Sequence, residues 1–216
     1  MDELIRRSHS FLEEDDEIYY LGEYTTGAGH AHSQTNQLIL NYKKPIDRKG
    51  LPDWDYKKGA ILKAAQWFYF AISHTAYLAN RARDATFIPI PPSAAKNSPQ
   101  YDDRNHQLLQ MILPQGDVRE LILQRETREP LHTAKNAPRK PSDLLKNYFL
   151  NDRLLSPKPK ELWLFDDLLT KGTHYRAAHN LLKATFPDVP VVGFFIARAM
   201  TTSPLLTRTS DHKLLP

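Results

Sequence analysis

The chain has 216 residues, 41% of them apolar and 25% charged, values ordinary for a soluble globular protein and enough for one generous domain with its own core. The absence of cysteine excludes disulfides, thiolate metal sites and a cysteine nucleophile, and fits a reducing compartment. The formal net charge of +4 suits a phosphorylated small molecule, a nucleic acid or simply a solvated surface.

No apolar signal core follows Met1-Asp2-Glu3-Leu4-Ile5-Arg6-Arg7, and runs such as Val191 to Ala197 are too short to span a bilayer. The expectation is a cytoplasmic protein without membrane contact. Leu4, Ile5, Phe11 and Leu12 predict a short amphipathic helix over 2–15. Glu17 to Tyr24 has the aromatic content of a strand, Gly27-Ala28-Gly29-His30 that of a turn, and Gln37 to Tyr42 that of a second short strand. Residues 43–56 read as a loop. Ile61, Leu62, Ala65, Phe68, Ala71, Ile72 and Ala76 keep a helical period, which predicts one long buried helix over 57–83. A strand Thr86 to Ile90, a loop 91–102 and a helix Asp103 to Leu113 follow. Residues 114–141 are polar and proline-rich, interrupted by a strand-like Leu121-Ile122-Leu123. Ser142 to Phe149 reads as a short helix capped by Ser142.

The stretch 161–197 carries the most information. Leu162-Trp163-Leu164-Phe165 is an apolar strand, Asp166 to Gly172 a tight loop, 173–185 a helix, and Val191 to Ala197 another buried strand. A strand–loop–helix–strand unit predicts a parallel sheet, and ligands of such sheets collect at the carboxyl ends of the strands. There, a helix start presents unpaired N–H groups and partial positive charge to an anion. Gly172 permits close approach, Thr170 and Thr173 offer hydroxyls, and Lys171 a charge. Asp166 and Asp167, adjacent at a strand end, point in opposite directions. One suits a sugar diol and the other a magnesium ion held through water; capping and solvating the loop is the alternative. His30 and His32 lack a neighbouring carboxylate to complete a metal site.

The segment Leu162 to His174 resembles the phosphoribosyl pyrophosphate (PRPP) signature of type I phosphoribosyltransferases: an apolar strand, two acids, two residues, Thr-Thr-Gly, one residue, then Thr or Ser. Asp166, Asp167, Thr170 and Gly172 fall on it, while Lys171 and His174 replace two hydroxyl residues with other hydrogen-bond donors. Leu38-Ile39-Leu40-Asn41-Tyr42-Lys43-Lys44, Phe87-Ile88-Pro89-Ile90-Pro91-Pro92-Ser93, Arg125-x-Thr127 with Pro138-Arg139, and Ile196-Ala197-Arg198 are similar to segments of the ComF-like branch of that superfamily. The similarity spans roughly 35–200, and the cysteine zinc module with which ComF-like chains often begin is absent.

The resemblance implies an α/β fold, a parallel sheet flanked by helices, with residues 1–56 as an N-terminal extension or hood on a 57–200 core of a single domain. It implies that Asp166 and Asp167 hold the ribose hydroxyls and organise Mg2+. Thr170, Lys171, Gly172, Thr173 and His174 would fix the 5-phosphate. Ser93 and Lys96, helped by Arg104, would hold pyrophosphate, although an ion pair of Arg104 with Asp102 or Asp103 fits equally. Arg125, Arg128, His132, Lys135 and Arg139 would line a mobile lid or a basic surface loop. The function implied is phosphoribosyl transfer with loss of pyrophosphate. The alternatives are a non-catalytic module sensing PRPP or a nucleotide, and a DNA-processing accessory protein whose basic run 135–146 meets nucleic acid beside Tyr148 and Phe149. A homodimer or a protein partner stays open.

Overall fold

Nine residues from Glu161 to Leu169 form the central strand of the protein because six of the first seven are buried and apolar residues dominate both of its faces. In the computed structural model, which describes residues 9–128 and 140–200, the elements in chain order are β1 (Glu17–Thr25), α1 (Gln34–Tyr42), α2 (Trp54–Ser73), α3 (Ala76–Ala82), β2 (Ala85–Pro89), α4 (Arg104–Ile112), β3 (Ile122–Gln124), α5 (Pro141–Leu145), β4 (Tyr148–Leu150), β5 (Glu161–Leu169), α6 (Thr173–Thr185) and β6 (Val191–Met200). The main sheet has the order β1-β6-β5-β2 with every neighbour parallel. Val118 adds a parallel bridge to Phe87 on the other edge of β2. The predicted mixed α/β class with a parallel sheet between helices is what the chain adopts.

Alternation along β5 divides the core in two. Trp163 and Phe165 face α1, α2, α3 and α4. Leu162 and Leu164 face α6, α5 and the β3–β4 hairpin. On the first face Phe165 stacks on Phe87 and Phe194 with ring centroids 5.1 and 4.9 Å apart, and Phe68 of α2 meets it edge-on at 5.4 Å. Among the described residues no helix is long and apolar enough to cross a membrane.

Several elements differ from expectation. Gln37 to Tyr42 is not a strand but the body of α1. Ser33 caps it by accepting from Asn36 N–H at 3.0 Å, and Leu38, Ile39 and Tyr42 form one buried helical stripe. The long helix is two: the backbone N–H of His74 closes α2 on Phe70 O at 3.0 Å, its ring stacks on Phe70, and extended Thr75 starts α3 anew. Ser142 is not a cap. Pro141 opens α5, Asp143 accepts from Lys140 N–H at 3.2 Å, and the helix ends in time for Tyr148-Phe149-Leu150 to pair antiparallel with β3. Residues 2–8 lie outside the described residues, and 9–16 form turns rather than the end of a helix. The stretch expected as an extension contributes β1, which pairs with β6 from Glu17↔Val192 to Thr25↔Met200, and α1, whose Tyr42 is fully buried.

Candidate anion site at the strand ends

β5 does not stop before its acids. Its register with β6 runs on through Asp166↔Phe195, Leu168↔Ala197 and Leu169↔Arg198, so the expected tight loop of 166–172 shrinks to Thr170, Lys171 and Gly172. Both carboxylates therefore stand on a rigid strand, and only three residues turn the chain into α6. Gly172 makes that turn as the N-cap of α6 with φ +82°, in the left-handed region that side chains disfavour. A Cβ there would also meet Leu12 Cδ2 at 2.9 Å. Gly172→Ala should lower stability by roughly 1–2 kcal/mol from left-handed backbone alone, read as a lower urea midpoint.

The position in the sheet is that of a topological switch. From β2 the chain moves to the Val118 bridge on one edge, and later it enters β5 on the other. The crossovers part there, and a crevice opens beyond the carboxyl ends of β2 and β5. A cavity of about 840 Å³ occupies it. It is lined by the loop residues Thr170, Gly172, Thr173 and His174, by Asp166 and Asp167, and by Ser93, Arg104 and Arg128 from other parts of the chain. Apolar Ile39, Leu40, Ile46 and Phe195 also reach it.

The two acids live in different surroundings. Asp167 is 4% exposed and clamped between two cations: Lys43 Nζ reaches Oδ1 at 3.0 Å, and Arg104 NH2 reaches Oδ2 at 2.7 Å. Burial alone would raise its carboxyl, but the charges of Lys43 and Arg104 outweigh burial and hold it well below the ordinary carboxylate range. Asp166 is half-buried. Its Oδ1 accepts from Asp167 N–H at 2.8 Å and from Asn105 Nδ2 at 3.3 Å, and Asn105 accepts from the buried Tyr42 hydroxyl at 2.9 Å. Burial, then the charge of Asp167, pushes the Asp166 carboxyl up to about 7. Behind them Arg104 also pairs with Asp102 at 2.7 Å, and Asp102 pairs with Lys57, 2% exposed, at 2.7 Å.

This donor set is no cage for a resident divalent cation. Both oxygens of Asp167 are engaged, and among the described residues no group of three or more His, Asp or Glu converges. A hydrated magnesium carried by a ligand's phosphates needs only one or two carboxylates, and Asp166 Oδ2, which has no partner among the described residues, fits that more modest role.

The other expected donors divide. Thr170 and Lys171 are exposed, and Lys171 is not among the residues that line the cavity. His174 lies 3.5 Å from the Tyr148 hydroxyl. Ser93 lines the cavity, and its carbonyl accepts from Arg128 N–H at 2.9 Å while Thr127 accepts from Ala95 N–H at 3.0 Å. The loop 92–96 and the base of the long polar segment are thus tied together. Lys96 turns away into an ion pair with Glu120. Arg104 makes the ion pair with Asp102 and faces the cavity as well. Arg125 lies over the Phe149 ring at 4.9 Å. His132, Lys135 and Arg139 lie outside the described residues.

Sequence reading missed Lys43, Asn105 and Tyr42 as members of the site. Lys43 lies in the segment Leu38 to Lys44 quoted for the resemblance, but at 124 positions from Asp167 nothing local shows that the two meet. The run Asp102-Asp103-Arg104 at a helix start was a usable signal for the buried ion-pair chain. Comparison with protein-family models and with curated proteins returns no match for this chain.

Proposed function

We propose that this protein is a type I phosphoribosyltransferase-like protein of the ComF-like branch that binds PRPP or the 5-phosphate of a nucleotide in the strand-end cavity. One observation carries the reading: the backbone N–H groups of Lys171 and Gly172 have no partner among the described residues, and they adjoin the start of a 13-residue helix. Beside them stands a carboxylate pair on the neighbouring strand end. Unpartnered amides at a helix start favour an anion, and a carboxylate a few residues away accepts from sugar hydroxyls. In this reading Thr170 to His174 hold the 5-phosphate and Asp166 accepts from the ribose diol. Ser93 and Arg128 meet the diphosphate, and Asp166 would hold the hydrated magnesium that accompanies it, whose charge would offset that of the diphosphate. Asp167 acts through Lys43 and Arg104, whose charges it keeps in place.

Transfer and sensing use the same contacts. Sensing without turnover is favoured by the departures at Lys171 and His174 and by the engagement of Asp167 with its own lysine and arginine. Calorimetric titration with PRPP, with and without magnesium, tests the binding reading. Asp166→Asn should weaken PRPP about tenfold, the worth of one charge-assisted hydrogen bond. The double change Asp166→Asn plus Asp167→Asn should abolish measurable binding. Wild-type protein that takes up no PRPP, ribose 5-phosphate or nucleotide sinks the reading. Pyrophosphate release across a panel of bases then separates transfer from sensing.

A further inference from the structure

Residues 9–16 bond to the three-residue loop and are not among the residues that line the cavity. Thr170 O accepts from His9 Nδ1, and Lys171 O accepts from Phe11 N–H at 2.9 Å. With a carbonyl as partner, that ring nitrogen of His9 carries its proton. His9 is 2% exposed while Thr170 is exposed, so the bond is buried on the histidine's side. The same segment is pinned to α6. Arg176, 5% exposed, donates to Phe11 O at 3.0 Å, pairs with Asp16, and reaches Glu13 at 3.1 Å. Tyr175 donates to Asp16 at 3.4 Å, and Leu12 fills the space against Gly172.

We propose that residues 9–16 are a positioning strap for the anion loop, with His9 as the positioning residue that sets the direction of its peptide groups. A trans peptide is planar, so its N–H points opposite to its C=O. The strap draws the carbonyls of Thr170 and Lys171 to the back. The N–H groups that share those peptide planes, of Lys171 and Gly172, are thereby turned away from the strap, and of the two residues Gly172 lines the cavity. Neither has a partner among the described residues. A short turn ending in glycine has low resistance to a peptide flip, and a flipped peptide would aim a carbonyl oxygen at the anion. Affinity then depends on a histidine that touches no ligand and lies 161 positions from the loop.

The inference rests on the anion reading of the loop, and its test separates the two. His9→Leu removes the donor at similar volume, and His9→Asn keeps an N–H near the same place. The readouts are affinity for ribose 5-phosphate and for inorganic phosphate, amide hydrogen exchange without ligand at Phe11, whose N–H donates to Lys171 O, and melting temperature. His9→Leu should bind about tenfold more weakly, the equivalent of one lost hydrogen bond, with faster exchange at Phe11. His9→Asn should restore most of both. Wild-type affinity in His9→Leu, or His9→Asn no better than His9→Leu, overturns the strap. Should wild-type protein bind neither phosphate, the anion reading falls, and unchanged exchange at Phe11 in His9→Leu would overturn the strap separately. If His9→Leu does not fold, Asp16→Asn cuts the anchor to Arg176 instead, with the same expected and opposing outcomes.

Discussion

Asp167→Asn should cost about 3 kcal/mol of stability, the lower end for breaking a buried ion pair, and lower the melting temperature by roughly 6–12 °C for a chain of this size. The substitution removes the acceptor of two cations at once, Lys43 at 3.0 Å and Arg104 at 2.7 Å. The low end applies because Arg104 keeps Asp102 at 2.7 Å and the Lys43 side chain, 39% exposed, can turn to water. The pH dependence has a definite sign. A carboxyl held below its ordinary range contributes stability that is present above the unfolded-state value and lost as pH falls through the folded-state value. The gap between wild type and Asp167→Asn should therefore be widest near neutrality and narrow steadily below about pH 4, near the unfolded aspartate value. Urea unfolding at pH 7.5, 5 and 3 reads it. A gap that stays constant or widens in acid would show that the two cations do not depend on this charge.

Asp166→Asn should do the opposite one residue earlier. Its carboxyl rises to about 7 in the fold, so between the unfolded value and that point the folded state binds a proton that the unfolded state has released. Stability is therefore lost as pH rises over that window. Asparagine keeps the acceptor for Asn105 Nδ2 and for Asp167 N–H, and it removes the penalised charge. The variant should match wild type near pH 4 and exceed it near pH 8, by at most about 4 kcal/mol at 1.4 kcal/mol per tenfold. The same change weakens PRPP in the proposed function. A gain in stability with a loss of affinity is the signature of a strained functional group, and a loss of both would assign Asp166 a structural role.

The contrast shows where the sequence was legible. Leu162 to Phe165, the 173–185 helix and Val191 to Ala197 were readable because a strand buried on both faces is a continuous apolar run and an amphipathic helix repeats every three to four residues. The same logic failed at Gln37 to Tyr42, where a short apolar stretch fits either period and the deciding Ser33 cap lies upstream. It failed at Asp166 to Leu169 because two acids look like a loop in isolation. The pairing with β6 carries the strand through them. In the site, the loop residues Thr170 to His174 and the two acids were legible as a local motif. Lys43, Asn105 and Tyr42 were not, nor was the turning of Lys96 to Glu120.

The sequence by itself determined the α/β class, the strand–turn–helix unit, the glycine at its corner and the presence of two adjacent carboxylates, since each is written in the periodicity or composition of one continuous stretch. Only the tertiary structure decided what those carboxylates are. Chemically identical neighbours became a clamped anion and a reluctant one because Lys43 and Arg104 converge on Asp167 from α1's end and α4, while Asp166 meets a neutral amide. Charge interactions act through space and burial, and the groups that fix an ionisation state are brought together by chain crossovers that leave no periodic trace in the sequence.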